Sequence, residues 1–256
     1  MKGIKSIILP DLHISRRGYA RVYDTVKDFI IDFKPDVVYL LGDFADNEAL
    51  CPHTMGNFSS ATHAAEIRVL DKELKFLEKH SGKIVWIEGN HEDWVNQYEA
   101  KFPKLRGTLT YETQLRLSER NITWIPRSRK KLLKVGKLHM FHGMYINEYH
   151  ANKHLRKIGC SVVYGHTHVG QVHTNDQVMQ RTHKAYGLGC LCNKKASYLK
   201  DLEGSWNHEF AVLYSATNGD FNLYPIDIIG NRFYFNGKSY DGRGREKGYW
   251  RRKRAI

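Results

Sequence analysis

Short apolar runs alternate with longer amphipathic stretches in the first third of the sequence, and this alternation limits the possible folds to a few. Apolar runs occupy residues 4–9, 37–41 and 83–87, and we interpret each as a buried strand. Between them, residues 19–33 and 63–80 carry apolar side chains at the three-and-four spacing of an amphipathic helix. The order strand, helix, strand, helix, strand predicts parallel strands with helices packed on the faces of a sheet.

The rest of the chain predicts more strands than helices. Further helices are expected at 91–101, around 110–119 and at 150–159, and further strands at 122–125, at 161–164, in a hairpin with Gly136 at its turn, and in several segments after 169. Parallel units followed by antiparallel ones favour an α/β fold in which two mixed sheets pack face to face, flanked by helices.

Length and composition indicate one globular domain. The chain has 256 residues, of which 41% are hydrophobic and 26% charged, and it contains no low-complexity tract. We expect a single domain over residues 1–237, followed by a basic tail over residues 238–256.

The balance of charge favours anionic partners. Lysine and arginine number 40 against 27 acidic residues, a net charge of +13. Much of the positive charge lies in residues 127–131 and 242–254, and Tyr249 and Trp250 interrupt the second segment. Such a tail suits phosphate contacts together with base stacking, and it equally suits a solvated terminus.

The first residues and the cysteines indicate an intracellular location. The apolar run before Pro10 is too short for a signal-peptide core or a membrane span, so a cytoplasmic protein that makes no membrane contact is expected. The four cysteines form no CxxC pair, and we interpret them as reduced and structural. A zinc site built on Cys190 and Cys192 is the less favoured alternative.

Potential metal ligands follow five of the predicted strands. The strand ends carry Asp11 and His13, Asp43 and Asp46, Asn90 with His91 and Glu92, His142, and His166 with His168. Residues i and i+2 of an extended chain point the same way, and ligands of open α/β sheets bind beyond the carboxyl ends of the strands. We therefore expect these side chains to meet at one edge.

The donor types indicate two divalent cations. Imidazole, carboxylate and amide groups without sulfur suit Mn²⁺, Fe or Zn²⁺, and Mn²⁺ is preferred here. The donors are too numerous for one ion, whereas two ions about 3.5–4 Å apart that share a carboxylate would use them and would clamp a phosphoryl group in displacement.

These motifs resemble those of the calcineurin-like metallophosphoesterase superfamily. The motifs DLH, GDFAD, GNHE, FHG and GHTH match its series without a gap between residues 11 and 168. The resemblance implies a four-layer αββα sandwich with a dinuclear metal centre. The strand-rich segments GSWNHEFAVLY and NGDFNLYPIDI resemble small bacteriophage-encoded members of the superfamily.

The resemblance also implies a role for each matching position. One metal would be held by Asp11, His13, Asp43 and His168, and the other by Asp43, Asn90, His142 and His166. His91 would act beside the leaving oxygen as a general acid or charge stabiliser, and Asp46 would accept a hydrogen bond from His91 and keep it protonated. A hydroxide bridging the metals would attack phosphorus. The alternative for Asp46 is a helix N-cap or turn residue.

The sequence departs from the protein-phosphatase branch of the superfamily. That branch has an arginine after GDxxD, whereas this chain has Asn47 and Glu48. Arg16 and Arg17 are candidates to supply the missing charge, and His53 lies in a segment expected to face substrate. We expect a phosphodiesterase or nuclease acting on DNA or nucleotides.

Two alternatives stay open at the level of sequence. One is a phosphomonoesterase of protein or small molecules, and the other is a non-catalytic nucleic-acid-binding protein on the same fold. Among the remaining histidines, His139 is expected to be structural, and surface positions are expected for His150, His154 and His173.

Overall fold

The computed structural model describes residues 3–52, 62–175, 182–194 and 205–243. Its helices are α1 (Val22–Phe33), α2 (His63–His80), α3 (Asn90–Lys101), α4 (Tyr111–Gln114) and α5 (His150–Ile158). Its strands are β1 (Ile4–Leu9), β2 (Val37–Leu40), β3 (Lys83–Ile87), β4 (Ile122–Ile125), β5 (Leu133–Val135), β6 (Leu138–Met140), β7 (Val162–Tyr164), β8 (Gln171–Thr174), β9 (Lys184–Gly187), β10 (Glu209–Ser215), β11 (Phe221–Asp227), β12 (Phe233–Phe235) and β13 (Lys238–Tyr240).

The first sheet contains the alternating strands at the start of the chain. Within the described residues it has six strands in the order β11-β10-β1-β2-β3-β4. Strands β1 to β4 are parallel, whereas β10 pairs antiparallel with both β1 and β11. The connections from β1 to β2 and from β2 to β3 contain α1 and α2, as the periodicity predicts.

The second sheet uses the later strands. Its order in the described part of the chain is β5-β6-β7-β9-β8, with a parallel centre from β6 through β7 to β9 and antiparallel edges. The β5–β6 hairpin turns at Gly136, which has a φ of 59°. A Cβ atom there would also approach the main chain of Gly219 within 2.6 Å, so glycine is needed on both counts.

Alternate side chains of the central strands enter different layers. In β1, Ile8 packs with Val163 of β7 between the sheets, while Ile7 packs with α1 and α2 on the outer face. In β7, the neighbouring Tyr164 faces the other way and packs with Leu155 of α5. The described chain is therefore a four-layer sandwich of helices, sheet, sheet and helix, as the sequence predicts.

One hairpin lies beyond the predicted strands. Strands β12 and β13 pair antiparallel, and Phe233 and Tyr240 are buried against Phe29 of α1. The boundary predicted at residue 238 therefore falls inside this hairpin, whose second strand begins at Lys238. Residues 244–256, which hold most of the predicted basic tail, lie outside the described residues.

A buried ion pair joins α1 to α2. The Lys27 ammonium is fully buried, contacts the Glu73 carboxylate, and lies 3.8 Å from the centre of the Tyr19 ring. Burial lowers the pKa of Lys27 to about 8, although the Glu73 charge opposes this effect. The pair is thus a pH-dependent contribution to stability that lies apart from the strand ends.

Lys27→Met is expected to lower the free energy of unfolding by about 3–5 kcal/mol at pH 7, because Glu73 loses its buried cation. The double variant K27M/E73L should recover most of that loss. Between pH 8 and 10.5 the folded wild-type chain binds fewer protons than the unfolded chain, so its stability should rise with pH relative to the double variant. Urea denaturation at pH values from 7 to 10.5 measures both effects. If adding E73L to K27M does not restore the lost free energy of unfolding, the assignment of a buried ion pair between Lys27 and Glu73 is contradicted.

No helix among the described residues is long and apolar enough to cross a membrane.

Candidate metal centre

The residues that follow the strands turn sharply toward one another. Asp11, His13, Asp43, His166 and His168 all have left-handed backbone, with φ between 43° and 72°. Side-chain-bearing residues rarely adopt this conformation, and where they do it often marks a functional site. These turns bring side chains from distant parts of the sequence into contact.

The first cluster contains Asp11, His13 and His168. The Nε2 atom of His168 lies 3.2 Å from an Asp11 carboxylate oxygen and 3.3 Å from the Nε2 atom of His13. Asp11 is fully buried, and its carboxylate also accepts the main-chain N–H of His166. Two imidazole nitrogens this close either share a proton or face a common cation.

The second cluster contains Asp43, His142 and His166. The Nε2 atom of His142 lies 3.1 Å from the Asp43 Oδ2 atom and 3.0 Å from the Asn90 Oδ1 atom. The same Asp43 oxygen lies 3.8 Å from the Nε2 atom of His13, so Asp43 stands between the two clusters.

The two buried carboxylates of the site favour bound positive charge. Burial opposes ionisation of Asp43, but the charges of His142 and His91 dominate and hold its pKa well below the usual range. Burial likewise opposes ionisation of Asp11, and His168 lowers its pKa. Two buried carboxylates that share one set of imidazoles fit divalent cations, because nitrogen and oxygen donors without sulfur suit Mn²⁺, Fe or Zn²⁺.

Hydrogen bonds fix the orientation of the imidazole rings. The Nδ1 atom of His142 lies 3.0 Å from the main-chain oxygen of Leu41, and the Nδ1 atom of His91 lies 2.7 Å from that of Asp46. A carbonyl accepts only from a protonated nitrogen, so both rings direct Nε2 toward the clusters, where it can meet a metal or a phosphate oxygen.

Asp46 contacts a different histidine from the one expected. Its carboxylate lies 3.3 Å from the Nδ1 atom of His13 but 3.8 Å from that of His91, which hydrogen-bonds the Asp46 main chain instead. Burial lowers the pKa of His91 to about 4, and the nearby charges of Asp43 and Asp46 oppose this effect. In the structure the carboxylate is thus closer to His13 than to His91, because the turn after β2 points it toward His13. The catalytic assignment of Asp46 stays a prediction.

Asp46→Asn is expected to weaken metal binding by about 10–100-fold, because the carboxylate that orients the His13 ring loses its charge. Asp36→Asn is a matched control, since Asp36 precedes β2 and therefore lies at the opposite edge of the sheet. Titration calorimetry with Mn²⁺ measures both variants. Equal metal affinity in the two would show that Asp46 does not support a ligand.

Glu92 is a residue whose role the sequence did not assign. Its buried carboxylate accepts the main-chain N–H groups of Asp43, Ala45 and Gly89 at 2.8–3.0 Å, and so ties the turn after β2 to the start of α3. A glutamate three residues after a helix N-cap is a recognisable capping signal, and GNHE contains it.

Gly165 is required by the close approach of two strand ends. A Cβ atom at this position would lie 2.1 Å from an Asp11 carboxylate oxygen. Any other residue would displace this candidate ligand, which explains the glycine at the start of GHTH.

The candidate substrate residues are less closely tied to the centre. Arg16 lies 3.5 Å from the Glu48 carboxylate, and Arg17 is exposed. His53 lies outside the described residues.

Asn47, at the position of the protein-phosphatase arginine, is buried and donates to the main-chain oxygen of His91 at 2.7 Å. Asn47 therefore positions the His91 turn from within the fold.

The expectation of surface positions for His150 and His154 is wrong, because both are buried under the second sheet. The Nε2 atom of His154 accepts the main-chain N–H groups of Met144 and Tyr145 at 3.1 and 3.3 Å. This contact fixes the loop that follows His142. His139 contacts the Cys160 sulfur at 3.1 Å, and His173 contacts Asn152 at 3.0 Å.

The cysteines are free thiols, as expected. Cys190 and Cys192 are buried and form a group with His168, whose Nδ1 atom lies 3.9 Å from the Cys192 sulfur. The Cys192 sulfur lies on the Nδ1 side of His168, away from the Nε2 atom that faces Asp11.

Comparison with known proteins agrees with this architecture. The sequence model described as calcineurin-like phosphoesterase matches residues 4–170, which is well over half of the chain and includes every candidate ligand. No curated protein matches the chain significantly. On this match, the chain belongs to the calcineurin-like phosphoesterase family and is a metal-dependent phosphoester hydrolase.

Proposed function

We propose that the chain is a two-metal phosphodiesterase that acts on nucleic acid or nucleotides. The observation that carries the proposal is the position of Asp43, whose Oδ2 atom lies 3.1 Å from His142 in one cluster and 3.8 Å from His13 in the other. A carboxylate shared in this way is the arrangement that a pair of divalent ions requires.

The donors divide into two sets around Asp43. Asp11, His13 and His168 would hold one cation with Asp43, while Asn90, His142 and His166 would hold the second. When bound, two divalent cations neutralise phosphate oxygens and lower the pKa of an attacking water molecule. Mn²⁺ is the proposed ion, because the mixed set of imidazole and oxygen donors matches its preference.

His91 is the proposed group beside the leaving oxygen. Its Nδ1 atom is held by the Asp46 main chain, while its Nε2 atom lies 3.9 Å from Asp43 at the side of the cluster. Burial gives His91 a pKa of about 4, and an approaching phosphate anion favours its protonated form. The ring can then stabilise charge on the leaving oxygen or give it a proton.

The choice of a diester rests on charge and on Asn47. The net charge of +13 favours polyanions over small neutral substrates. At Asn47 the chain has an amide that is engaged within the fold, so this position supplies no cation to grip the dianion of a phosphate monoester.

A substrate panel tests the proposal. Purified chain is stripped of metal, reloaded with Mn²⁺, and assayed on bis(4-nitrophenyl) phosphate, 4-nitrophenyl phosphate, single- and double-stranded DNA and cyclic AMP. We expect hydrolysis of the diester and of at least one nucleic-acid or nucleotide substrate, with a lower kcat/KM for the monoester. Activity on the monoester alone would replace the proposal with a phosphomonoesterase, and no hydrolysis of any substrate would favour a binding protein.

A further inference from the structure

We propose that residues 129–131 form a binding surface for the phosphate backbone of a polynucleotide, beside the candidate metal centre. The inference rests on the proposed function and deepens it, since it assigns a polymer rather than a mononucleotide as the substrate. It concerns a basic segment that the family's metal-binding motifs do not include.

The segment borders the loop that carries His142. A cleft between the ends of the two sheets is lined on one side by Arg129 and Lys131, and on the other by His142, Gly143 and Met144. His142 also lies 3.1 Å from Asp43, so the cleft borders the candidate metal centre.

The positive charges of the segment are available to a ligand. Arg129, Lys130 and Lys131 are exposed, and among the described residues no carboxylate pairs with them. Arg127 differs, because its guanidinium lies 3.5 Å from Asp93.

Hydrogen bonds within the segment hold these charges together. The Ser128 hydroxyl accepts the main-chain N–H groups of Lys130 and Lys131 at 3.1 and 3.0 Å. Glu88, the acidic residue in the cleft lining, is engaged by the Arg127 main chain and by Asn96.

The size of the cleft decides what it can recognise. Its open volume is about 20 Å³, room for one water molecule and far too little for a base. Contact is therefore made from the rim by exposed cations, which bind phosphates without reading sequence.

Salt-dependent binding tests the inference. The full chain and two variants are titrated against fluorescein-labelled oligothymidylates of 20 and 2 nucleotides by anisotropy, at several salt concentrations. The test variant is R129A/K130A/K131A. The control is K101A/K104A/R106A, which removes the same charge from exposed positions. Lys101 is the last residue of α3, about 16 Å along the helix from Asn90, and Lys104 and Arg106 follow it.

We expect the test variant to bind the 20-mer at least about tenfold more weakly than wild type, and its slope of log affinity against log salt to fall by about 2. The control should change affinity less than about twofold. The 2-mer should bind weakly to all three chains, because it offers too few phosphates.

Three outcomes would overturn the inference: an unchanged slope in the test variant, an equal loss in the control, or tighter binding to phosphatidylserine vesicles than to the 20-mer. Hydrolysis of bis(4-nitrophenyl) phosphate by the wild-type chain is measured in parallel. Its absence would reject the proposed function while the binding data still decide the inference, so the two failures are distinguishable.

Discussion

Asp43→Asn is expected to lower kcat for bis(4-nitrophenyl) phosphate by about a thousandfold or more. In the wild-type chain the Asp43 carboxylate accepts the main-chain N–H of His91 at 2.9 Å. Asparagine is nearly isosteric with aspartate, so its amide oxygen can keep this hydrogen bond. The substitution removes the negative charge between the clusters, and losing about 4 kcal/mol of transition-state stabilisation corresponds to a thousandfold in rate.

Metal content separates this explanation from a folding defect. The Asp43→Asn chain should bind fewer than two equivalents of Mn²⁺, measured by elemental analysis after dialysis, while its circular dichroism spectrum matches wild type. Asp36→Asn, the same substitution at the opposite edge of the first sheet, should keep both metal content and activity. Two tightly bound ions in Asp43→Asn, with activity preserved, would remove Asp43 from the centre.

His91→Ala is expected to lower kcat about 10²- to 10⁴-fold while leaving two equivalents of metal bound. His91 lies at the edge of the clusters, with Nε2 3.9 Å from Asp43 and Nδ1 fixed by a main-chain oxygen. It also groups with His13 and Asp46, so a ligand role is the competing assignment. Loss of one metal equivalent in His91→Ala would establish that competing role.

The leaving group distinguishes the two catalytic roles of His91. A 4-nitrophenolate leaves readily without a proton, whereas the alkoxide of a DNA strand does not. If His91 is a general acid, its removal should reduce DNA cleavage much more than cleavage of bis(4-nitrophenyl) phosphate. Equal losses on both substrates would indicate charge stabilisation instead.

The first sheet and the layers were predictable because local pattern and tertiary packing agree there. In residues 4–87 each apolar run is a central strand whose two faces are both buried, and each amphipathic stretch covers one face. The β12–β13 hairpin was overlooked although Asn236 and Gly237 at its turn, with φ of 47° and 76°, carry the Asn-Gly signal of a hairpin.

The candidate ligands were predictable for a different reason. Parallel strands deliver their following residues to one edge, so motif positions such as Asp11 and His168 could be placed together without knowing the turns. The orientation of the Asp46 carboxylate depends on the backbone conformation of the turn after β2, which the sequence does not specify. The burial of His150 and His154 depends on packing of α5 against the second sheet, and the polar composition of that helix conceals it.

Diffraction at the manganese absorption edge from crystals of the Mn²⁺-loaded chain shows directly whether two ions share Asp43. Two anomalous peaks about 3.5–4 Å apart are expected. The ion at one peak should be ligated by His13 and the ion at the other by His142, and Asp43 should contact both ions. A single peak, or two peaks that do not share Asp43, would contradict this arrangement.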